Sequence, residues 1–302
     1  MLVNSYQPAA FLKVTGDDAE AFLQGQFTNE LRHPKDVDAS VYGLWLNQKG
    51  KVLADSYVLK RKNKEFAIVS VTSSATVIRA RLEEYIVADD VTLADETARV
   101  HALAVSGKRC GELIRECLGV VPPTGRFLQH DELIIFSGRR SRDENYELIG
   151  PEALIKNAKQ KLLALGGHEA DADEMESMRI SAGIPSIPQD IGPGDLPNEG
   201  GLEDEAISFT KGCYLGQEVM ARLKNMGQIR RRLHIIEGLG ATLVASDPLY
   251  QGERQVGQVH SVANNKDKFV ALAMLSLVNL EPGSGLSVAP NAAPTVRIVP
   301  RG

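Results

Sequence analysis

One order of periodic segments occurs twice in the first half of the chain, and that repetition narrows the folds open to it. Ala10-Phe11-Leu12-Lys13-Val14 predicts a short strand. Asp17 predicts a helix N-cap, with Glu20 three residues on, and Ala19, Phe22, Leu23, Gln26 and Phe27 follow at helical spacing. Val41 to Leu46 and Val52 to Leu59 predict two strands joined by the turn Asn47-Gln48-Lys49-Gly50. Phe66 to Val71 predicts another strand. Ser73 or Ser74 then caps a helix carrying Ile78, Leu82, Tyr85 and Ile86, and Val91 to Leu93 closes the unit.

The second pass begins with Val100 to Val105. Cys110, Leu113, Ile114, Cys117 and Leu118 then share one helical face. Leu133 to Phe136 and Tyr146 to Ile149 predict strands around the charged loop Arg139 to Asn145. A helix over Glu152 to Leu165 stops at Gly166-Gly167, and His168 to Ala172 supplies a last strand. The order strand–helix–strand–strand–helix–strand is the split-βαβ, or ferredoxin-like, pattern. The first unit carries one strand more than the second, and the two share no clear residue-level repeat. A short helix over Glu174 to Ala182 leads into a stretch interrupted by glycines and prolines from Gly183 to Gly201. Such a stretch suits neither a long helix nor a central strand, and a loop of this length inside a compact protein is commonly functional. From Leu233 onward, short strands between Gly and Pro turns predict a small antiparallel barrel. The expected fold is therefore α+β: residues 1–95 as one ferredoxin-like unit, 96–230 as a second with the Gly/Pro-rich segment, and 231–302 as a C-terminal antiparallel β-barrel.

Composition excludes several classes. The three cysteines, Cys110, Cys117 and Cys213, form no Cys-x-x-Cys pair, which fits a reducing compartment and argues against a self-contained zinc or cluster site; no metal ligands are expected. The formal net charge of −5 gives no global field for nucleic acid, so direct tight nucleic-acid binding is not expected. No apolar run approaches the roughly 20 residues of a membrane span, and Met1 to Ser5 lacks the pattern of a secretory signal. A cytoplasmic location without membrane contact is the expectation.

The sharpest local feature is Lys211-Gly212-Cys213-Tyr214-Leu215-Gly216-Gln217-Glu218. A cysteine acts as nucleophile or ligand only as thiolate, which an adjacent cation or a helix N-terminus favours. Lys211 could supply the cation and the segment from Leu215 the helix, while Gly212 and Gly216 permit close approach. The residues alone leave Cys213 open between that role and a small buried hydrophobe. Cys110 and Cys117 lie on an apolar helical face and predict core positions. Arg230-Arg231-Arg232 predicts a solvated strand end, with a ligand carboxylate or RNA phosphate as the other reading.

The octapeptide fits the Lys-Gly-Cys-Tyr-x-Gly-Gln-Glu signature of the YgfZ family of folate-binding proteins, which the chain resembles along nearly its whole length. Arg179-Ile180-Ser181-Ala182-Gly183-Ile184-Pro185, Leu196-Pro197-Asn198-Glu199 and the segment Gly16 to Asn29 resemble further family segments in order. Asn47-Gln48-Lys49-Gly50-Lys51 departs from a frequent Pro-x-Gly-Arg, and a lysine there lacks the planar guanidinium fork.

The resemblance implies a ring-like fold related to the T-protein of glycine cleavage, with tetrahydrofolate or a derivative at a central site. It also implies a role for the motif cysteine in assembly, repair or maintenance of iron–sulfur enzymes, tRNA-modifying ones included, with those enzymes or cluster-assembly proteins as partners. It places the chemistry on Cys213 and Lys211, and folate contacts on Asn29, Arg179, Glu199, Gly212, Tyr214, Gly216, Gln217 and Glu218. A carboxylate can accept two parallel N–H bonds from a pterin, which makes Glu199 the first candidate for that contact. The alternative is the T-protein activity itself, a folate-dependent aminomethyltransferase. That enzyme uses an aspartate in the segment after the strand at Phe66 to Val71, where this chain has Ser70-Val71-Thr72-Ser73-Ser74 and no carboxylate.

Overall fold

The computed structural model describes residues 1–32, 38–62, 64–240, 242–265, 268–281 and 283–300. The first unit runs β2 (Ala10–Thr15), α1 (Ala19–Gln26), β3 (Ser40–Leu46), β4 (Val52–Lys60), β5 (Phe66–Ser70), α2 (Ala75–Glu83) and β6 (Thr92–Asp95), after a leading β1 (Leu2–Tyr6). The second runs β7 (His101–Ser106), α3 (Cys110–Leu118), β8 (Phe127–His130), β9 (Leu133–Ser137), β10 (Asn145–Gly150), α4 (Glu152–Ala164) and β11 (His168–Glu169). Both units thus have the order β-α-β-β-β-α-β. The second also has the extra strand, β8, so the repeat of elements is closer than the sequence indicates.

The sheets preserve this correspondence. The first is ordered β3-β4-β5-β2-β6, and the second β8-β9-β10-β7-β1-β11. The difference is β1, which inserts between β7 and β11, antiparallel to the former and parallel to the latter. The expected boundary at residue 95 is therefore crossed: the first strand of the chain completes the second sheet. Each sheet buries one face under its own helices. Phe22 and Leu23 of α1 and Ile78 and Leu82 of α2 pack on the first, and Cys110, Ile114, Ile155 and Leu162 of α3 and α4 on the second. The other faces meet through Phe11, Leu59, Val69, Phe127, Phe136 and Ile149.

The helix starts follow from local chemistry. Ser74 caps α2 by accepting from the Val77 N–H, as its position predicts. Asp17 does not cap α1. Its carboxylate pairs with Lys64 at 2.9 Å, while Asp18, in the N-cap position, accepts instead from the Asp90 N–H at 2.8 Å. After β11 come α5 (Ala172–Ser181), the short helices α6 (Pro197–Gly200) and α7 (Glu203–Ala206), and α8 (Gln217–Met226). The last unit comprises β12 (Arg231–Leu239), β13 (Pro248–Gln251), β14 (Arg254–Asn265), β15 (Lys268–Ser276) and β16 (Val296–Val299). These strands form a curled antiparallel sheet ordered β13-β14-β15-β12-β16. Bridges from Ser287 to Tyr250 and from Leu286 to Val296 join its two edges, around a core that includes Leu249, Phe269 and Leu275. A further core, with Leu44, Ile187, Leu202, Tyr214, Met220 and Leu233, ties the first sheet, the Gly/Pro-rich segment, α8 and the barrel together.

Candidate functional site

Three sequence segments that are far apart in the chain meet at the octapeptide. The Lys211 side chain turns inward, and its Nζ donates to the carbonyls of Gln24, Phe27 and Asn29 at 2.9, 2.7 and 2.8 Å, at the C-terminal end of α1. The Leu215 N–H donates to the Gly25 carbonyl at 3.1 Å. Gly216 adopts φ +86°, and a Cβ there would stand 3.0 Å from the Asn47 carbonyl oxygen and 3.3 Å from Gly50 Cα. The octapeptide thus lies against both the end of α1 and the turn between β3 and β4. Burial pulls the Lys211 ammonium down to about 8, with the charge of Glu30 acting against that shift. Cys213, two residues on, is exposed. By contrast, Cys110 is buried and its thiol pushed up to about 12 by desolvation, and half-buried Cys117 is raised by the same cause.

A separate cavity of about 60 Å³ lies where the two sheets meet the segment after α5. Asp55, Tyr42 and Tyr57 line it from the first sheet, and Arg139, Arg140 and Glu147 from the second. Asp55 accepts from Tyr42 Oη at 2.9 Å and from Ser73 Oγ at 2.7 Å. Glu147 accepts from Tyr6 Oη at 2.8 Å and from Arg140 Nε at 2.6 Å. Arg140 stacks over the Tyr6 ring at 4.3 Å, and its Nη2 is buried with no partner among the described residues. A buried donor left unpaired is costly unless water or a ligand satisfies it. Arg139 stacks over the Tyr42 ring at 4.5 Å and pairs with Glu205 of α7.

Asn29 connects cavity and octapeptide. Its carbonyl accepts from Lys211, while its Nδ2 donates to the carbonyls of Tyr42 at 2.9 Å and Glu205 at 3.1 Å. Those two residues are the ones that hold Arg139. Thr28 adds to this clamp, donating to the Ala206 carbonyl at 2.7 Å and accepting from the Leu44 N–H at 2.8 Å.

The sequence profile of a family described as the GCVT N-terminal domain matches residues 6–211. The chain belongs to this family. Relatives that it matches over nearly their whole length include two bearing the name "tRNA-modifying protein YgfZ". The one from Escherichia coli O157:H7 (strain EC4115 / EHEC) is 26% identical over 292 residues, covering 94% of this chain and 87% of that one. The one from Escherichia coli O45:K1 (strain S88 / ExPEC) is 26% identical over 300 residues, covering 96% and 90%. Among solved structures, the glycine cleavage system aminomethyltransferase T from Bartonella henselae matches with a TM-score of 0.81 at 17% identity, over 94% of this chain and 81% of that one. At that identity the likeness is one of fold. The YgfZ resemblance and the α+β, T-protein-like architecture are both supported.

Within this family frame, the sequence-derived site residues divide sharply. Arg179 lines the cavity, but its guanidinium is already bonded to Asp190 at 2.7 Å and Ser261 at 3.0 Å. Glu199 is not in the lining. It accepts from the Leu196 N–H at 2.7 Å and from Arg231 Nε at 2.8 Å, so the structure gives it an internal partner in place of a pterin. Cys213, Lys211 and Asn29 are likewise absent from the lining, and Lys211 directs its charge into α1. Gly212 is exposed and Glu218 pairs with Arg222 on the surface of α8. Gln217 begins α8, and its N–H donates to the Tyr214 carbonyl at 3.1 Å. Tyr214 is buried, its phenol pushed up to about 12 by desolvation and its hydroxyl without a partner among the described residues. The predicted helix starts at Gln217, so Cys213 lies ahead of its first turn. Arg231 and Arg232 are not a free basic patch, since Asp195, Glu199 and Glu203 pair with them.

The residues that sequence reasoning missed are Asp55, Glu147, Arg139 and Arg140. Each carries a legible mark: a lone acid within a strand, or adjacent arginines just past a strand end. No carboxylate stands within Ser70 to Ser74, but one reaches that segment from outside it. Asp55, from the neighbouring strand, accepts from both Ser70 and Ser73.

Proposed function

We propose that the chain binds a reduced folate, tetrahydrofolate or a derivative, in the central cavity and supports the assembly, repair or maintenance of iron–sulfur enzymes through Cys213. Tetrahydrofolate would supply a one-carbon carrier. Asp55 and Glu147 offer acceptors to a pterin's N–H groups, and Arg140 Nη2, without a partner among the described residues, offers a donor to one of its acceptor atoms. One observation carries the reading: Asn29 bonds to Lys211 of the octapeptide and to the two residues that hold Arg139 in the cavity wall, so the cavity and the segment carrying Cys213 belong to one framework. The iron–sulfur and tRNA-modifying connection rests on the family resemblance. Partners in this reading are client enzymes or cluster-assembly proteins met in the cytoplasm. Among the described residues no helix is long and apolar enough to cross a membrane. With a formal charge of −5, the chain acts beside tRNA-modifying enzymes rather than by gripping tRNA itself. Submicromolar tRNA affinity with a steep salt slope would contradict this part.

Asp55 favours a second reading, aminomethyl transfer with that carboxylate as acid or base. We rank it second because that chemistry gives the octapeptide cysteine nothing to do. The test of binding is a titration with tetrahydrofolate and 5-formyltetrahydrofolate, followed by thermal unfolding and by fluorescence of the single Trp45, whose Nε1 donates to cavity-lining Ser56. Ligand at about 100 times Kd should stabilise the native state by about 2.7 kcal/mol. No shift of Tm and no fluorescence change at millimolar ligand would remove the folate reading.

A further inference from the structure

We infer that the pocket bounded by α6, α7 and α8 is a docking site for an arginine side chain of a partner protein; that this partner is a client reaching Cys213 rests on the reading above. The pocket measures about 310 Å³, and Asn198, Glu203, Asp204, Phe209, Leu223 and Lys224 are in its lining. Its place in the chain ties it to the thiol. Phe209 stands just before the octapeptide, and Leu223 and Lys224 stand in α8 just after it. An occupant therefore meets both ends of the segment that carries the exposed Cys213.

The lining calls for N–H donors on an apolar stem. Asn198 Oδ1 and Glu203 Oε2 are shut off from solvent and have no hydrogen-bond partner among the described residues. Such acceptors are destabilising until a group seated beside them, or a trapped water, supplies a donor. Glu203 uses its other oxygen, Oε1, on Arg232 at 3.4 Å. Asp204 is exposed and forms no ion pair among the described residues. Phe209 and Leu223, both half-buried, offer surface to a stem. The pocket already takes a cation from this chain: Lys224 holds its ammonium 4.0 Å over the Phe209 ring and pairs with no carboxylate among the described residues. That ammonium leaves both acceptors bare. A guanidinium differs, because its planar fork stacks on a ring while its N–H groups still reach acceptors on separate residues. Lys224 is exposed, and an exposed cation–ring contact is worth only about two- to fivefold in occupancy, so an incoming guanidinium displaces it into solvent. Lys224 is the one cation of the lining. Once it has left, a free amino acid finds no partner there for its carboxylate, which points to an arginine within a protein chain.

The test is a nuclear magnetic resonance titration of the full, isotope-labelled chain with Nα-acetyl-arginine amide, the side chain as a protein presents it. Amides over 203–209 and 223–224 should shift saturably at millimolar probe. Nα-acetyl-citrulline amide, which has the shape without the charge, should bind about tenfold more weakly, and free arginine no more tightly than the blocked form. Lys224→Ala, at an exposed helix position, should tighten the probe about two- to fivefold by removing the internal competitor, and Phe209→Leu should weaken it by a similar factor. Thermal unfolding of each variant reports folding. Equal binding of the citrulline probe, no saturable shifts at these amides, or unchanged affinity in Lys224→Ala would overturn the inference and leave a trapped water as the donor to the two acceptors. Free arginine binding about tenfold tighter than the blocked form would overturn the protein source. In cells lacking the chain, Asp204→Lys should lose most support of an iron–sulfur enzyme while Cys213 still labels as in wild type; full support would overturn the docking role. Full support by Cys213→Ala with probe binding intact would instead remove the Cys213 reading, and the client with it.

Discussion

Lys211 shows how far a residue's sequence neighbours can mislead about its role. Two positions from a cysteine, it suggests a cation that activates the thiol, yet its ammonium lies under the loop, bonded to three carbonyls at the end of α1. Sequence adjacency does not say which way a side chain points in a loop. Its role in this structure is to position the octapeptide. Lys211→Met would leave three carbonyls short of a donor in a buried place and should cost about 1–3 kcal/mol in urea unfolding. The pH dependence has a definite sign. Burial lowers this lysine from 10.5 to about 8, so between those values the unfolded chain binds more protons than the native one. Wild-type stability should then rise with pH across that window relative to Lys211→Met, and be at its relative lowest below pH 8. Parallel stability curves for the two proteins from pH 7 to 10.5 would show that the ammonium is not buried as described.

Elements that rest on local pattern were legible, and those that rest on distant pairing were not. The helices α1 to α4 follow apolar faces with a period of 3.6 residues, and Ser74 stands at its predicted cap. The strands β1 and β8 have no such internal signal. Leu2-Val3-Asn4-Ser5-Tyr6 is a strand because β7, about a hundred residues away, offers it an open edge. The same limit hid the cavity, whose acids and arginines come from two sheets that the sequence does not juxtapose. The meeting of the octapeptide with the β3–β4 turn gives a test at this scale. Gly216 is the N-cap of α8 at φ +86°, against the Asn47 carbonyl. Gly216→Ala should cost about 1–2 kcal/mol from the left-handed backbone alone. The close carbonyl should add to it, and the loop carrying Cys213 should loosen, seen as faster amide exchange over 211–217. An Ala variant as stable as wild type would mean that this contact does not hold the loop.

At the scale of the molecule, the two repeated units and the barrel converge on one junction. The first strand of the chain crosses into the second sheet, and the core around Tyr214 and Leu233 joins octapeptide to barrel. The octapeptide therefore presents Cys213 outward from the place where the parts meet, while Cys110 and Cys117 are packed into the second unit. The central claim is that this exposed thiol carries the function. The direct measurement is complementation in cells lacking the chain, reading the activity of an iron–sulfur tRNA-modifying enzyme, with thiol labelling of each purified variant as a check on folding. Cys213→Ala should fold, lose the fast-labelling thiol and give no support to the enzyme, whereas Cys110→Ala and Cys117→Ala should support it with some loss of stability. Full activity with Cys213→Ala, or fast labelling at Cys110 or Cys117 in the folded wild type, would contradict the account.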